Sequence, residues 1–486
     1  MNCSTSSSNR ALVACELLAL LVLSNCALLN RQAGAPLEFE SLISKGDRPA
    51  VAGSTSIPWT ANFTGGTGEL TYEFRTLRSS AEIAEQEGPS PTWDWNPRKA
   101  GTYRVKVTAE DGAGDRVDSG WSPAIVVLPP IGVGDLIAVL PVDNLTGGRA
   151  PLEMVDRLLR TNLNEKGFRL LDDDILEAFM RRYRIRHTGS VSSHVSRAVR
   201  EETGAEALFM TSLEVFSETD PPRVALFSRL VSSGDRSEIT WMDGVGLSGR
   251  GSPGLLGLGL IAEPDILLEM AIHCLADSLE ESLSEAGTPI RAVSQNDLTE
   301  CGPRADVVAA SPEEGGKRRY RPRASFRSPI IEDNKRYSVA VIPFLNLSER
   351  RNAGNILALH FVDRMIRNEF LTVIEPGLVR EQLLKYRIIM EAGPSFANAE
   401  LLSSRDSLRA DLVLSGVVFD YQDAVGIPTV DFSVKVIERT SRSVVWSSRS
   451  HNTGDDSVSF FDLGRVHTAH SLASEMARGT FEALEP

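Results

Sequence analysis

Ile137-Ala138-Val139-Leu140-Pro141, followed by Asn144-Leu145-Thr146, occurs in this chain twice, the second time as Val339-Ala340-Val341-Ile342-Pro343 with Asn346-Leu347-Ser348. Tyr183-Arg184-Ile185 returns as Tyr386-Arg387-Ile388, Pro222 as Pro428, and Ile239-Thr240-Trp241 as Val444-Val445-Trp446. The four matches keep their order at offsets of 202 to 206 residues, so the chain reads as two tandem copies of one unit. Each copy opens with an apolar strand, Leu136 to Leu140 or Val339 to Ile342, that stops at a proline unable to donate to a ladder. A helix follows, with apolar residues at Leu152, Val155, Leu159 and Leu163, or at Ala353, Leu357, Phe361 and Met365. Then come a short strand (Phe168 to Leu171; Leu371 to Ile374), a helix ending near Tyr183 or Tyr386, and a further short helical stretch. Three strands run to Trp241 or Trp446, and a closing helix, Ile266 to Leu283 or Val466 to Phe481, completes the unit. A sheet and helices that must bury their apolar faces on each other predict a two-layer α+β domain with a mixed sheet.

Upstream of the repeats, Pro36 to Pro130 reads as short strands punctuated by glycine and proline. Leu70 to Phe74 and Tyr103 to Val107 alternate apolar and polar residues, and Gly65-Gly66 and Asp111-Gly112 supply turns. The run Trp93-Asp94-Trp95-Asn96-Pro97, Ala100-Gly101-Thr102-Tyr103, Ala109-Glu110-Asp111 resembles bacterial immunoglobulin-like modules of the PKD type, with the aromatics filling a sandwich core. The resemblance implies a spacer or adhesive unit.

The amino terminus carries Arg10 ahead of an apolar run from Ala11 to Leu29, the pattern of a secretory signal peptide. Leu23-Ser24-Asn25-Cys26 within it resembles the lipobox of bacterial lipoproteins, which implies lipid attachment at Cys26 and removal of residues 1–25. Asn25 departs from the small residue usual before the cysteine. Ala27 in place of aspartate implies the outer membrane. Cys274 and Cys301 then remain, either paired in an oxidising compartment or with Cys274 buried as a free thiol. The expected organisation is signal peptide 1–25, tether 26–35, sandwich 36–130, first repeat 131–285, linker 286–336 and second repeat 337–486.

Composition narrows the function. With 51 basic and 65 acidic residues in 486, the net charge of −14 argues against nucleic acid as the main partner. The basic run Lys317-Arg318-Arg319-Tyr320-Arg321-Pro322-Arg323 falls in the Pro- and Ser-rich linker and reads as a solvated segment. Gly244-Val245-Gly246-Leu247-Ser248-Gly249 has the dinucleotide-binding spacing, but no helix starts directly after it, and glycines continue to Gly259. It is expected to be a mobile loop whose Gly244, Gly246, Gly249, Leu255 and Leu256 contact a partner or lipid. His467 and His470 lie three apart on the closing helix, but spacing supplies no third ligand, so no metal and no cofactor are expected. Asp172-Asp173-Asp174 reads as a helix N-cap.

The proline-ended strand, the strand triplet closing on tryptophan, the closing helix and the lipobox together resemble the curli-secretion (CsgG-like) lipoprotein family. They also resemble its relatives, the penicillin-binding-protein activator lipoproteins and the amino-terminal domain of TolB. The resemblance covers roughly residues 135 to 285 and 337 to 484. It implies a non-catalytic outer-membrane lipoprotein facing the periplasm, which assembles or supports an envelope complex through protein contacts. The Asn144 and Asn346 loops are candidate contact sites. The alternative is a subunit of an oligomeric export channel, and so a homo-oligomer. Arg186 to Ser196 and Ile389 to Ser404 offer no alternating membrane-spanning hairpin for it. An envelope hydrolase is the weakest reading, because no nucleophile–base spacing supports it.

Overall fold

The structure, a computed structural model, describes residues 35–44, 50–52, 55–78, 80–97, 101–128, 131–132, 134–234, 237–250, 260–284, 320–331, 337–368, 371–388, 395–404, 407–423, 426–456, 458 and 464–483. It is a mixed α/β protein with antiparallel and mixed sheets and, among the described residues, eight helices and no closed barrel. Two compact units divide it near Leu128.

The first unit is built from β1 (Glu38–Ser44), β3 (Ile57–Thr64), β4 (Thr71–Arg78), β5 (Ala81–Gly88), β6 (Thr92–Trp95), β7 (Gly101–Glu110), β8 (Arg116–Asp118) and β9 (Ile125–Leu128), with a two-residue β2 (Ala50–Val51) between β1 and β3 in the chain. One antiparallel sheet has the order β1-β3-β6; the other runs β9-β7-β4-β5, with β8 on β7. The two alternating stretches expected as strands are direct neighbours, Phe74 opposite Val107. Trp93 and Trp95 of β6 lie between Phe74 of β4 and Tyr103 of β7, with ring centroids 5.0 to 5.9 Å apart. The aromatics therefore fill the core, as their sequence setting implied. Asp111 fixes a turn by accepting from the Ala113 and Asp115 amides and from Thr67.

The second unit begins with β10 (Leu136–Val139), β11 (Asp143–Asn144), α1 (Leu152–Glu165), β12 (Arg169–Leu170), α2 (Asp173–Tyr183), α3 (Ser193–Thr203), β13 (Ala207–Ser217), β14 (Arg223–Ser232), β15 (Ile239–Ser248) and α4 (Pro264–Ser284). It continues with β16 (Ala324–Arg327), β17 (Tyr337–Val341), β18 (Leu345–Asn346), α5 (Ala353–Ile366), β19 (Leu371–Val373), α6 (Pro376–Lys385), α7 (Phe396–Ser403), β20 (Leu412–Gln422), β21 (Thr429–Glu438), β22 (Val444–Thr453) and α8 (Ala469–Glu482). The first sheet has the order β12-β10-β13-β14-β15, and the second β19-β17-β20-β21-β22 with β16 added at the edge. Even the irregularities coincide. A bulge at Glu214 in β13 is matched by one at Phe419 in β20, and the β14–β15 slip at Leu230/Val231 by one at Val436/Ile437.

Packing departs from the two-layer expectation. One face of the first sheet buries Val139, Phe209, Leu226 and Trp241 under α1 and α4. Its other face, with Met210, Phe227, Val231 and Met242, shares a core with α2, α3 and the second half's α5 and α8. Those two helices also cover the second sheet, against Leu414, Phe432 and Trp446, while α6 and α7 cover its far side through Val379, Leu383, Ala399 and Leu402. Helices α5 and α8 are thus held between two sheets. The consequence is visible in α5, where twelve of fourteen residues are buried, against three of fourteen in α1. A helix apolar all round belongs inside, and one with a single apolar stripe belongs at a surface.

Two further expectations change. Residues 320–331 are not plain linker, since β16 pairs antiparallel with β22 and Tyr320 is buried. The closing helix begins at Ala469, after its N-cap Thr468, so His467 lies before the helix. Asp172 does cap α2, its carboxylate accepting from the Asp174 amide. Cys274, on α4, is buried and disulfide-bonded, which removes the free-thiol alternative; Cys301 lies outside the described residues.

Candidate functional site: a sealed carboxylate–imidazole cluster

Strand β13 alternates until Leu213, where the bulge inserts one residue. Bulges re-aim side chains, and this one belongs to Glu214, on the sheet face covered by α5 and α8. His470 Nδ1, from the first turn of α8, lies 2.6 Å from Glu214 Oε2 although the two residues are 256 apart in sequence. The Tyr421 hydroxyl, from β20, donates to Glu214 Oε1. His360 of α5 completes the group, with Nε2 3.8 Å from Glu214 Oε2 and Nδ1 2.9 Å from Ser474 Oγ. The His360, His470 and Phe227 rings meet pairwise with centroids 4.7 Å apart.

All four titratable side chains are buried, Glu214 completely. Burial pushes the Glu214 carboxyl up, but the His470 imidazole and the Tyr421 hydroxyl hold it down, at about 2. Burial keeps His360 well below the usual histidine range, and raises the Tyr421 phenol well above its own. A carboxylate this deep would cost several kcal/mol if left alone, so the second half's histidine and tyrosine are what make Glu214 tolerable in the first. Chemically, the cluster can lock two halves together or hold a cation. Among the described residues its four side chains are all buried, which keeps a bulky substrate from them.

Asp423 sits at the edge of this group. It accepts from the Ala469 amide at 2.8 Å, lies 3.8 Å from Arg223, and has Glu214 and Arg350 as its other charged neighbours. Burial raises its carboxyl to about 6, against the pull of the amide and Arg223. A carboxyl raised in the fold contributes stability that is complete below the unfolded value and lost as pH climbs through the folded one. Asp423→Asn should therefore gain on the wild type by up to about 3 kcal/mol between about pH 4 and pH 7. Urea unfolding at the two pH values measures this, and a pH-independent difference would contradict it.

The residues singled out from sequence are placed as follows. Asn144 and Asn346 are spent inside their own loops: Asn144 Oδ1 accepts from Thr146 N and Oγ1, and Asn346 Oδ1 from Ser348 N and Oγ. The Asn144 loop is nonetheless a contact, an internal one. Arg350 donates to Thr146 O and to Glu214 O, the latter at 2.6 Å, and Asn352 Nδ2 donates to Leu145 O. Gly244 and Gly246 correct the mobile-loop expectation, because both lie within β15. A Cβ on Gly246 would stand 2.8 Å from His470 Cδ2, and one on Gly244 2.5 Å from Phe227 Cε1, so these glycines admit α8 to the sheet. Gly249 follows the strand, its amide donating to Pro222 O. Leu255, Leu256 and the lipobox residues Leu23, Ser24, Asn25 and Cys26 lie outside the described residues.

Sequence reasoning reached His470 but not Glu214, His360 or Tyr421. The sequence hid His360, because Asp363, Arg364 and Arg367 stand at i+3, i+4 and i+7 from it and make it read as part of a solvated helix face. A separate surface cleft of about 560 Å³ lies between Pro141 and α2, lined by Leu176 and Met180 with Arg160, Arg181 and Arg184. Its Arg160 is already engaged by Asp156, Asp173 and the Val139 carbonyl.

No protein-family model matches the chain, and no curated protein does. Among solved structures it is similar in part to a PelC dodecamer from Paraburkholderia phytofirmans, at 21% identity over 32% of this chain and 92% of that one, TM-score 0.23. It is similar to lipoprotein GNA1162 from Neisseria meningitidis at 17% identity, over 30% of this chain and 98% of that one, TM-score 0.22. The LpoB C-terminal domain from Escherichia coli matches at 13% identity, over 24% of this chain and 82% of that one, TM-score 0.19.

Proposed function

We propose that the chain is a non-catalytic envelope lipoprotein, anchored through Cys26 on the periplasmic side of the outer membrane, that supports an assembly of other envelope proteins. The observation that carries this reading is the lipobox Leu23-Ser24-Asn25-Cys26 at the end of an apolar amino-terminal run. The structure adds that the Glu214–His360–His470 group is buried between two sheets, which suits a rigid scaffold better than a catalyst. In this reading the β-rich first unit is an immunoglobulin-like spacer, and the two α+β copies are the body it holds out from the membrane. Tethering confines the body to a surface and raises its effective concentration for a partner. No helix among the described residues is long and apolar enough to cross a membrane.

The export-channel alternative has less support. Helix α7 occupies most of the described residues at the second place where a spanning hairpin would be inserted, and α3 begins within the first. Cys26→Ser should move the protein from the membrane pellet to the soluble fraction, with its thermal unfolding unchanged. Membrane retention of the serine variant equal to wild type would remove the anchor and with it this function. A detergent-extracted particle many times the monomer mass with a central hole would favour the channel instead.

A further inference from the structure

Glu214, His360 and His470 each present one donor atom, and the three atoms lie within 4.8 Å of one another in a fully buried setting. Hydrogen bonding accounts for Glu214 and for His470 Nδ1, but His360 Nε2 is buried without a hydrogen-bond partner. An imidazole nitrogen costs free energy when it is desolvated and left unsatisfied. In the tautomer where Nδ1–H donates to Ser474 Oγ, Nε2 carries its lone pair toward Glu214. A metal-ligating histidine is ordinarily held in this way, its second nitrogen donating to a fixed oxygen.

We infer that Glu214, His360 and His470 supply three donors of a zinc-type site, its fourth position taken by a water molecule, that clamps the two halves of the second unit. Two imidazoles and a carboxylate are a donor set that suits Zn²⁺. Donors about 2.0–2.1 Å from a tetrahedral ion stand roughly 3.3 Å apart. The 2.6 Å Glu214–His470 contact would have to open by under 1 Å, and the 3.8 Å Glu214–His360 separation to close by about half that. Ligation through His470 Nδ1 needs that nitrogen's lone pair, so the hydrogen bond to Glu214 is given up and the ring keeps its proton on Nε2. The three ligands come from β13, α5 and α8, so no single half can hold the ion. Because the site is sealed, the ion enters as the halves close during folding, and it leaves slowly.

The test uses the full chain, unfolded in urea with chelator and refolded with or without Zn²⁺ alone. Expected are one zinc per chain that resists dialysis, a raised unfolding midpoint, and a Co²⁺-refolded form with visible d–d absorption of a tetrahedral site. His360→Ala should refold, since it removes the atom with no hydrogen-bond partner, and should lose zinc retention at least tenfold. Glu214→Gln, which keeps the side-chain shape, should do the same. A wild-type chain that refolds cooperatively but retains no zinc would overturn the site, leaving a buried hydrogen-bonded cluster only. Equal zinc retention by wild type and His360→Ala would overturn it too, since the ion would then be bound elsewhere.

Discussion

Gly244→Val is expected to cost about 3 kcal/mol or more of the second unit's stability and to free α8 from the first sheet. The new Cβ would stand 2.5 and 2.7 Å from Phe227 ring carbons and 3.0 Å from His470 Cε1. Phe227 cannot retreat, because the His360 and His470 rings flank it at 4.7 Å and its own exposure is 2%. Inserting methyl groups into a close-packed core costs about 1–3 kcal/mol each time the neighbours are unable to move. Valine's preference for strand backbone returns only about 1 kcal/mol. The internal control is the matching position of the second sheet. There Arg449 occupies the register of Gly244, Arg449 facing Ser433 across the ladder as Gly244 faces Phe227. Arg449→Gly should change stability by less than about 1 kcal/mol, since that side chain is partly exposed and its ion pair is screened. Urea unfolding followed by circular dichroism, with hydrogen exchange at α8 and β15, measures both. A Gly244→Val protein with wild-type protection in α8 would show that the two halves do not pack as described.

Arg229→Ala carries the second large expected effect, a loss of about 3–5 kcal/mol, the usual cost of orphaning one member of a buried ion pair. Arg229 on β14 lies 3.1 Å from Glu375 Oε1, and both residues are essentially inaccessible. Glu375 precedes α6 and caps it, accepting from the Gly377 and Leu378 amides. Burial pushes the Glu375 carboxyl upward, so without the guanidinium it would be protonated or would disrupt the interface. Arg229 also donates to the Gly189 carbonyl, which would lose its partner. The pair Arg229→Met with Glu375→Gln should recover most of the loss, because glutamine still accepts from the two amides and the charge is gone. A double-mutant cycle on urea midpoints reads the coupling; additive losses would mean that the two side chains do not interact.

The two sheets differ on the face that α5 and α8 cover in the first. The first sheet offers α5 and α8 a face of Glu214, Ala225, Phe227, Arg229, Met242, Gly244 and Gly246, and the second sheet has Phe419, Asp431, Ser433, Lys435, Ser447, Arg449 and His451 in the same register. Arg449 lies 4.0 Å over the Phe419 ring and pairs with Asp431, which also meets His451 at 3.2 Å. Burying that face would strip water from those charges.

Much of this was legible in the residues. Prolines after β10 and β17, the aspartate cap of α2, the aromatic core of the first unit and the recurrence of Trp241 as Trp446 are local or periodic features. The roles of Gly244 and Gly246 were not legible, because glycine spacing alone suits a flexible turn as well as a strand that admits a helix. His470 was visible as a histidine on a helix, but its partner lies on a strand in the other copy.

By itself the sequence determined which stretches form the strands, helices and turns of a mixed α/β chain with a β-rich stretch ahead of it, since strand and helix periods, prolines and caps act within a few residues. Only the tertiary structure decided that α5 and α8 serve two sheets at once and that Glu214, His360, His470 and Tyr421 converge. The reason is physical: periodicity records that a side chain is buried, but which surface buries it depends on contacts between segments hundreds of residues apart.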